Sequence, residues 1–167
     1  MRIERTRKLA LAGVFAALYA TLVYASPGIS FQLVQIRVAD ALIPLSMLFG
    51  WPAIVGVTIG CAVANITSPM PSVVAELMGG SIANFVAGFL ALKIGRSNKP
   101  RSEFLGCLAA TLALTFIVGT YLSILTTIPL WVWWLSIFIG SFVSINLLGY
   151  TLMQVLKKTK IAVSQPP

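Results

Sequence analysis

Long apolar runs broken by a few short polar interruptions set the framework of this chain. From Phe104 to Leu156 no Asp, Glu, Lys or Arg occurs. That stretch is over twice the length of one membrane span of about 20 residues, so it holds two helices. Thr126-Thr127-Ile128-Pro129 divides it, because proline disfavours helix at the residue before it. Trp131, Trp133 and Trp134 follow at once, as an aromatic belt at a membrane surface does. Toward the N-terminus four more apolar segments lie between Ser26-Pro27-Gly28, Gly50-Trp51-Pro52 and Ser68-Pro69-Met70-Pro71. The spans so predicted are 9–25, 39–49, 52–66, 72–92, 104–126 and 131–156. The second is short: about 11 residues of α-helix cover only ~17 Å, so it must begin earlier or be shielded by protein.

Charge then orients the bundle. Basic residues fall in three groups: Arg2, Arg5, Arg7 and Lys8; Lys93, Arg96, Lys99 and Arg101; Lys157, Lys158 and Lys160. Each flanks an apolar run, and Lys and Arg are retained on the cytoplasmic side. An even number of spans must separate consecutive groups, and four and two satisfy this. The expected fold is therefore an all-α membrane protein, a compact bundle of six transmembrane helices with N and C termini cytoplasmic. A single transmembrane domain covers 1–160, and 161–167 form a flexible tail. Reading Met1–Ala25 as a cleaved signal peptide would leave five spans and put the later basic groups at odds with the topology.

Composition narrows the function. Of 167 residues 58% are hydrophobic and only 10% charged, which places the chain in a lipid bilayer. The net charge of +8 would suggest nucleic acid in a soluble protein, but these cations are topology signals and no nucleic-acid partner is expected. There is no histidine, and Cys61 and Cys107 sit apart in apolar segments, so neither a metal site nor a cofactor is expected. No nucleophile has a base partner and no Gly-x-x-x-x-Gly-Lys-Ser/Thr segment occurs. An enzyme is not expected, and any ATP hydrolysis must come from other chains.

Only Arg37, Asp40 and Glu76 are ionisable within or beside a span and distant from the basic groups. A charge at mid-membrane costs about 2.5–3.5 kcal/mol on insertion scales, and such residues usually face a cavity or a partner. The topology puts them with Asn65 in the outer layer, where Tyr121 and the three tryptophans also arrive. The segment Gly28–Val38, with Gln32 and Gln35, forms an outer loop over them. These groups read as a binding site for a small, polar, flat molecule. Arg37 and Asp40 can equally pair with each other. Asn65 can cap its helix or bond across helices, and Trp131 and Trp134 suit interfacial anchors as well as stacking platforms. Glu76 has no basic neighbour within a turn and so requires Arg37, a ligand or a proton.

Small residues recur at four-residue spacing: Ala12, Ala16 and Ala20; Gly56, Gly60 and Ala64; Ser136, Gly140 and Ser144. Such rows let helices approach closely in lipid, and their repetition predicts packing within the bundle.

Several segments resemble those of the queuosine-precursor (QueT-type) transporters, the S components of energy-coupling factor (ECF) importers. Val34-Gln35-Ile36-Arg37-Val38-Ala39-Asp40-Ala41-Leu42 resembles that family's Ile-Gln-Phe-Arg-Val-Ser-Glu-Ala-Leu segment. Ile59-Gly60-Cys61 with Asn65, and Glu76 with Gly80-Ser81-Ile82-Ala83, resemble two more. Asp40 is shorter than the family's usual Glu, and Gly140-Ser141 stands where Gly-Glu is expected. The resemblance implies a multi-pass prokaryotic cell-membrane protein that captures a 7-deazaguanine such as preQ0 or preQ1 from outside. It implies an EcfT-like membrane coupling subunit, met through Ala12, Ala16 and Ala20, and two ATPase subunits. The substrate-binding residues it implies are Gln35, Arg37, Asp40, Asn65 and Glu76, with Tyr121 and Trp133 stacking on the ligand. An S component for another vitamin-like solute, or a stand-alone proton-coupled carrier, are the alternative readings.

Overall fold

A computed structural model describes residues 2–26, 36–97 and 99–159. Among these residues the chain is helical throughout and has no strand. Six helical segments follow one another: α1 (Arg2–Ala25), α2 (Val38–Phe49), α3 (Trp51–Asn65), α4 (Val73–Gly95), α5 (Pro100–Thr126) and α6 (Leu130–Lys158). Of these α1, α4, α5 and α6 are long and apolar enough to cross a membrane. Gln32, Gln35 and the 161–167 tail lie outside the described residues.

The helix boundaries follow local chemistry. Gly50 breaks α2 from α3 at φ +65°, a backbone conformation that costs glycine nothing. Pro52 and Pro100 stand in the first turns of α3 and α5, where their missing N–H has no helical partner anyway. Ser72 caps α4 by accepting from Ala75 N–H at 3.3 Å. Thr127, at φ +58°, turns the chain out of α5 ahead of Pro129.

α2 explains how a short segment serves in a bundle. Its first eight residues, Val38–Leu45, wind as a 3₁₀ helix and the last four, Ser46–Phe49, as an α-helix. The 3₁₀ rise per residue is longer, so the segment advances ~22 Å, about as far as the 15 residues of α3. Pro44 fits the tighter winding without breaking it. Residues Ala39 to Ser46 are all buried, so this helix is shielded by protein as its length requires. It lies between two apolar clusters. One gathers α4, α5 and α6 around Ile43, and the other gathers α1 and α3 around Leu42 and Leu45.

Close approaches fix α2 in place. Gly149 faces it where any Cβ would come within 2.8 Å of Ala41 O and 2.9 Å of Pro44 Cγ. Ser46 Oγ donates to Gly88 O of α4 at 3.0 Å. Along Phe142–Gly149 α6 widens into a π-helix, and its winding turns Asn146 inward, where Oδ1 accepts from Thr111 Oγ1 at 2.7 Å.

Small residues join α1 to α3. A Cβ on Gly56 would meet Phe15 Cβ at 2.4 Å and Ala12 O at 2.6 Å, and one on Gly60 would meet Ala16 O and Tyr19 Cβ at 2.7 Å. The small rows of α1 and α3 therefore pack against each other inside the chain. Ala12 is buried in this contact, and Ala16 and Ala20 are half-buried. Gly13 and Ala17 form the exposed edge of α1, and nothing approaches within 4 Å of a Cβ on Gly13.

At the opposite end from the α2 start, Glu103 is buried and forms an ion pair with Lys157, while Gln154 Nε2 donates to its other oxygen at 2.7 Å. These contacts join α5 to α6.

Candidate functional site

Arg37 precedes α2 in extended backbone, and Asp40 lies in the first 3₁₀ turn, where side chains three apart eclipse one another. Both border a narrow cavity, wide enough between the side chains for a water molecule. Gly80 and Asn84 of α4, Leu114 and Val118 of α5, and Ile137 and Ser141 of α6 complete its lining. One wall is thus polar and the other apolar, as sites for flat heterocycles are.

Glu76 sits one turn above Gly80 and is 1% exposed. Its Oε1 accepts from Tyr121 O–H at 3.1 Å, and its Oε2 lies 4.0 Å from Arg37 Nη2 without a hydrogen bond. The Asn65 side chain bonds across helices: Nδ2 donates to the Glu76 carbonyl at 2.8 Å, and Oδ1 is buried without a partner. Two adjacent glycines admit these neighbours. A Cβ on Gly79 would fall 2.8 Å from Tyr121 Cε1, and one on Gly80 would fall 2.5 Å from Asn65 Nδ2. Arg37, Asp40, Asn65, Glu76 and Tyr121 are therefore brought together from four helices.

Trp133 goes elsewhere. Its Nε1 donates to Thr126 Oγ1 at 2.7 Å and its ring packs in the apolar cluster of α4–α6, closing the α5–α6 hairpin. Trp134 donates to Thr120 Oγ1 at 3.2 Å and packs edge-on to Phe116, and Trp131 projects outward at 69% exposure. Gln35 lies outside the described residues.

Two polar residues belong with this group that sequence reasoning passed over, Tyr19 and Asn84, and Ser141 joins Asn84 in the cavity lining. Tyr19 is fully buried, donates to Asp40 Oδ1 at 2.6 Å and accepts from Asn84 Nδ2 at 2.8 Å. A tyrosine has a single hydroxyl proton, and an ionised carboxylate accepts only. The direction of both bonds is thereby set, and Asn84 must present its amide nitrogen to Tyr19. Glu76, Gly80 and Asn84 stand at four-residue spacing on one face of α4, a signal that could have found Asn84. Tyr19→Phe is expected to lower stability by about 1–3 kcal/mol, because a carboxylate oxygen and an amide N–H lose their partner in a buried place. Thermal denaturation in detergent checks this, and an unchanged Tm would reject the relay.

Four apolar helices long enough to cross a membrane, with buried charges gathered beside a cavity, are the features of a helical-bundle membrane protein. The sequence pattern of the QueT transporter family matches residues 9–158, nearly the whole chain, and the protein belongs to that family. The family is one of transporters and not of enzymes. Neither a curated protein sequence nor a solved structure matches the chain.

Proposed function

We propose that this chain is the substrate-binding membrane subunit, the S component, of an ECF-type importer that captures a queuosine precursor of the 7-deazaguanine class from outside the cell. The observation that carries the reading is the grouping, in a QueT-family bundle, of Arg37 and Asp40 on the cavity with Glu76 beside Arg37 and Asn65 beside Glu76. A carboxylate can accept two hydrogen bonds from a guanine-like edge, and a guanidinium or an amide can meet its carbonyl. The apolar wall of Leu114, Val118 and Ile137 suits the faces of a heterocycle, and the lining must part to admit one. In this reading all six helices span the bilayer, both termini are cytoplasmic, and 1–160 is one transmembrane domain.

The importer's motor is an EcfT-like coupling subunit with two ATPase subunits. The exposed edge of α1, Gly13 and Ala17 with Ala16 and Ala20 at its margin, is the face for the coupling subunit, since Ala12 is occupied by α3. The test is binding of a 7-deazaguanine to the purified chain, followed by import into liposomes with and without the coupling complex. Import only with the complex and ATP supports the reading. Import by the chain alone identifies a stand-alone carrier, and absence of binding rejects the ligand class. Ala17→Leu is expected to leave the isolated chain folded and to reduce co-purification of the coupling subunit roughly tenfold or more, through steric separation; undiminished co-purification rejects this face.

A further inference from the structure

Three aromatic rings form one patch where the start of α3 meets the end of α4. The Trp51 ring lies 6.2 Å from that of Phe85 and 6.0 Å from that of Phe89, both in tilted contact. Lys93 Nζ stands 5.8 Å from the centre of the Phe89 ring, within cation–π range. Phe85, Phe89, Lys93 and Arg96 follow one another at helical spacing and so share one face of α4. Gly50 turns the chain so that Trp51 opens α3 beside them. The patch faces away from the bundle: Trp51 is 54% and Phe85 40% exposed, and Lys93 and Arg96 are exposed as well.

A tryptophan or a lysine alone at the end of a span is an interfacial anchor. Two features set this patch apart. Two of its rings are phenylalanines, which have no polar group to place in a headgroup layer. Its cations are also unbalanced. Among the described residues the ion pairs are Arg37 with Glu76 and Lys157 with Glu103, so the buried carboxylate at this end of the bundle is taken by α6, and Lys93 and Arg96 have none. An apolar groove that ends in two cations without a counter-charge is complementary to a molecule that is apolar along its length and anionic at its head.

We infer that this patch binds an anionic phospholipid of the inner leaflet, with an acyl chain against Trp51, Phe85 and Phe89 and the head-group phosphate on Lys93 and Arg96. This rests on the membrane placement proposed above, in which the turn between α4 and α5 is cytoplasmic. The lysine stem then runs over the rings with its ammonium at the level of the head groups, as long basic side chains do. A zwitterionic lipid offers the same chains and the same phosphate. Its own cation, however, competes with Lys93 and Arg96 for that phosphate, so the net charge of the head group decides the preference.

The test is tryptophan quenching in bilayers that hold the full-length protein, made from phosphatidylglycerol and phosphatidylcholine with brominated chains on one lipid or the other. Trp131, Trp133 and Trp134 begin α6 at the opposite end of the bundle, so the fluorescence lost in Trp51→Phe isolates the signal of Trp51. At low salt phosphatidylglycerol is expected to associate beside Trp51 roughly fivefold or more tightly than phosphatidylcholine, the scale of one basic side chain against an anionic surface. Lys93→Gln combined with Arg96→Gln should bring that ratio to within about twofold of unity. Both positions are exposed, and quenching by phosphatidylcholine, retained in the double variant, marks an intact fold. Equal association of both lipids with the unaltered protein overturns the inference, and so does a preference that survives the double substitution. If the lipids associate equally and the double variant loses the coupling subunit on co-purification, the patch is a protein interface instead. Quenching of Trp51 by neither lipid overturns the membrane placement, and the inference falls with it.

Discussion

Glu76→Gln is expected to weaken binding of a 7-deazaguanine by about 3 kcal/mol, or roughly 100-fold, while changing the Tm of the empty protein little. The substitution is nearly isosteric. The remaining side-chain oxygen can still accept from Tyr121, and the backbone carbonyl that receives Asn65 is untouched. In the empty cavity it removes a charge that Arg37 reaches only at 4.0 Å, so little stabilisation is lost. With ligand present the balance reverses. A carboxylate accepts two donors at once, whereas an amide offers one acceptor and sets an N–H against the second donor. Calorimetric titration beside a thermal melt reads the two quantities separately. Full-strength binding removes Glu76 from the site; a collapsed Tm assigns it a structural role instead.

Why these residues are legible in sequence, and others are not, comes down to what each costs in a bilayer. A charge in an apolar run is expensive enough to be rare, so Arg37, Asp40 and Glu76 stand out from their neighbours by residue type alone. The topology then brings them to one level. Tyr19, Asn84 and Ser141 are neutral; a single hydroxyl or amide is tolerated in any membrane helix, so residue type alone does not mark them. Their importance comes from partners 21 and 65 residues away, in the case of Tyr19 with Asp40 and Asn84. Trp133 illustrates the reverse. Its position beside a turn suggests a ring free to stack, but Thr126 lies seven residues back across the hairpin and takes its N–H.

The same contrast holds for the fold. Most helix ends stand beside a proline, a glycine or a capping serine, as at Gly50, Pro52, Ser72, Pro100 and Pro129, and the six helical segments follow those breaks. The 3₁₀ winding of α2 and the π-turns of α6 have no comparable signal. They arise because a 12-residue segment must extend through the bundle and because α6 must meet it at Gly149. Small-residue rows are legible as packing faces, but which face meets which helix depends on the arrangement of α3 against α1.

That arrangement leads to the largest stability effect expected. Gly60→Ala adds one methyl group, and its carbon would stand 2.7 Å from both Ala16 O and Tyr19 Cβ and 3.1 Å from Ala16 Cα. Two of these atoms are backbone, so no side-chain rotation relieves the clash, and α1 must move away from α3. Overpacking of this kind costs about 3 kcal/mol, more than the helix propensity of alanine over glycine returns, about 1 kcal/mol. Gly13→Ala is the matched control on the same helix pair. With nothing within 4 Å of the new methyl, the propensity gain stands alone and the melt should rise slightly. Because Tyr19 is one of the displaced groups, the damage at Gly60 should reach Asp40 and Asn84. Ligand affinity should therefore fall with stability in Gly60→Ala and stay unchanged in Gly13→Ala. Equal melts for the two variants would mean that α1 is not seated on α3 in the membrane as it is here.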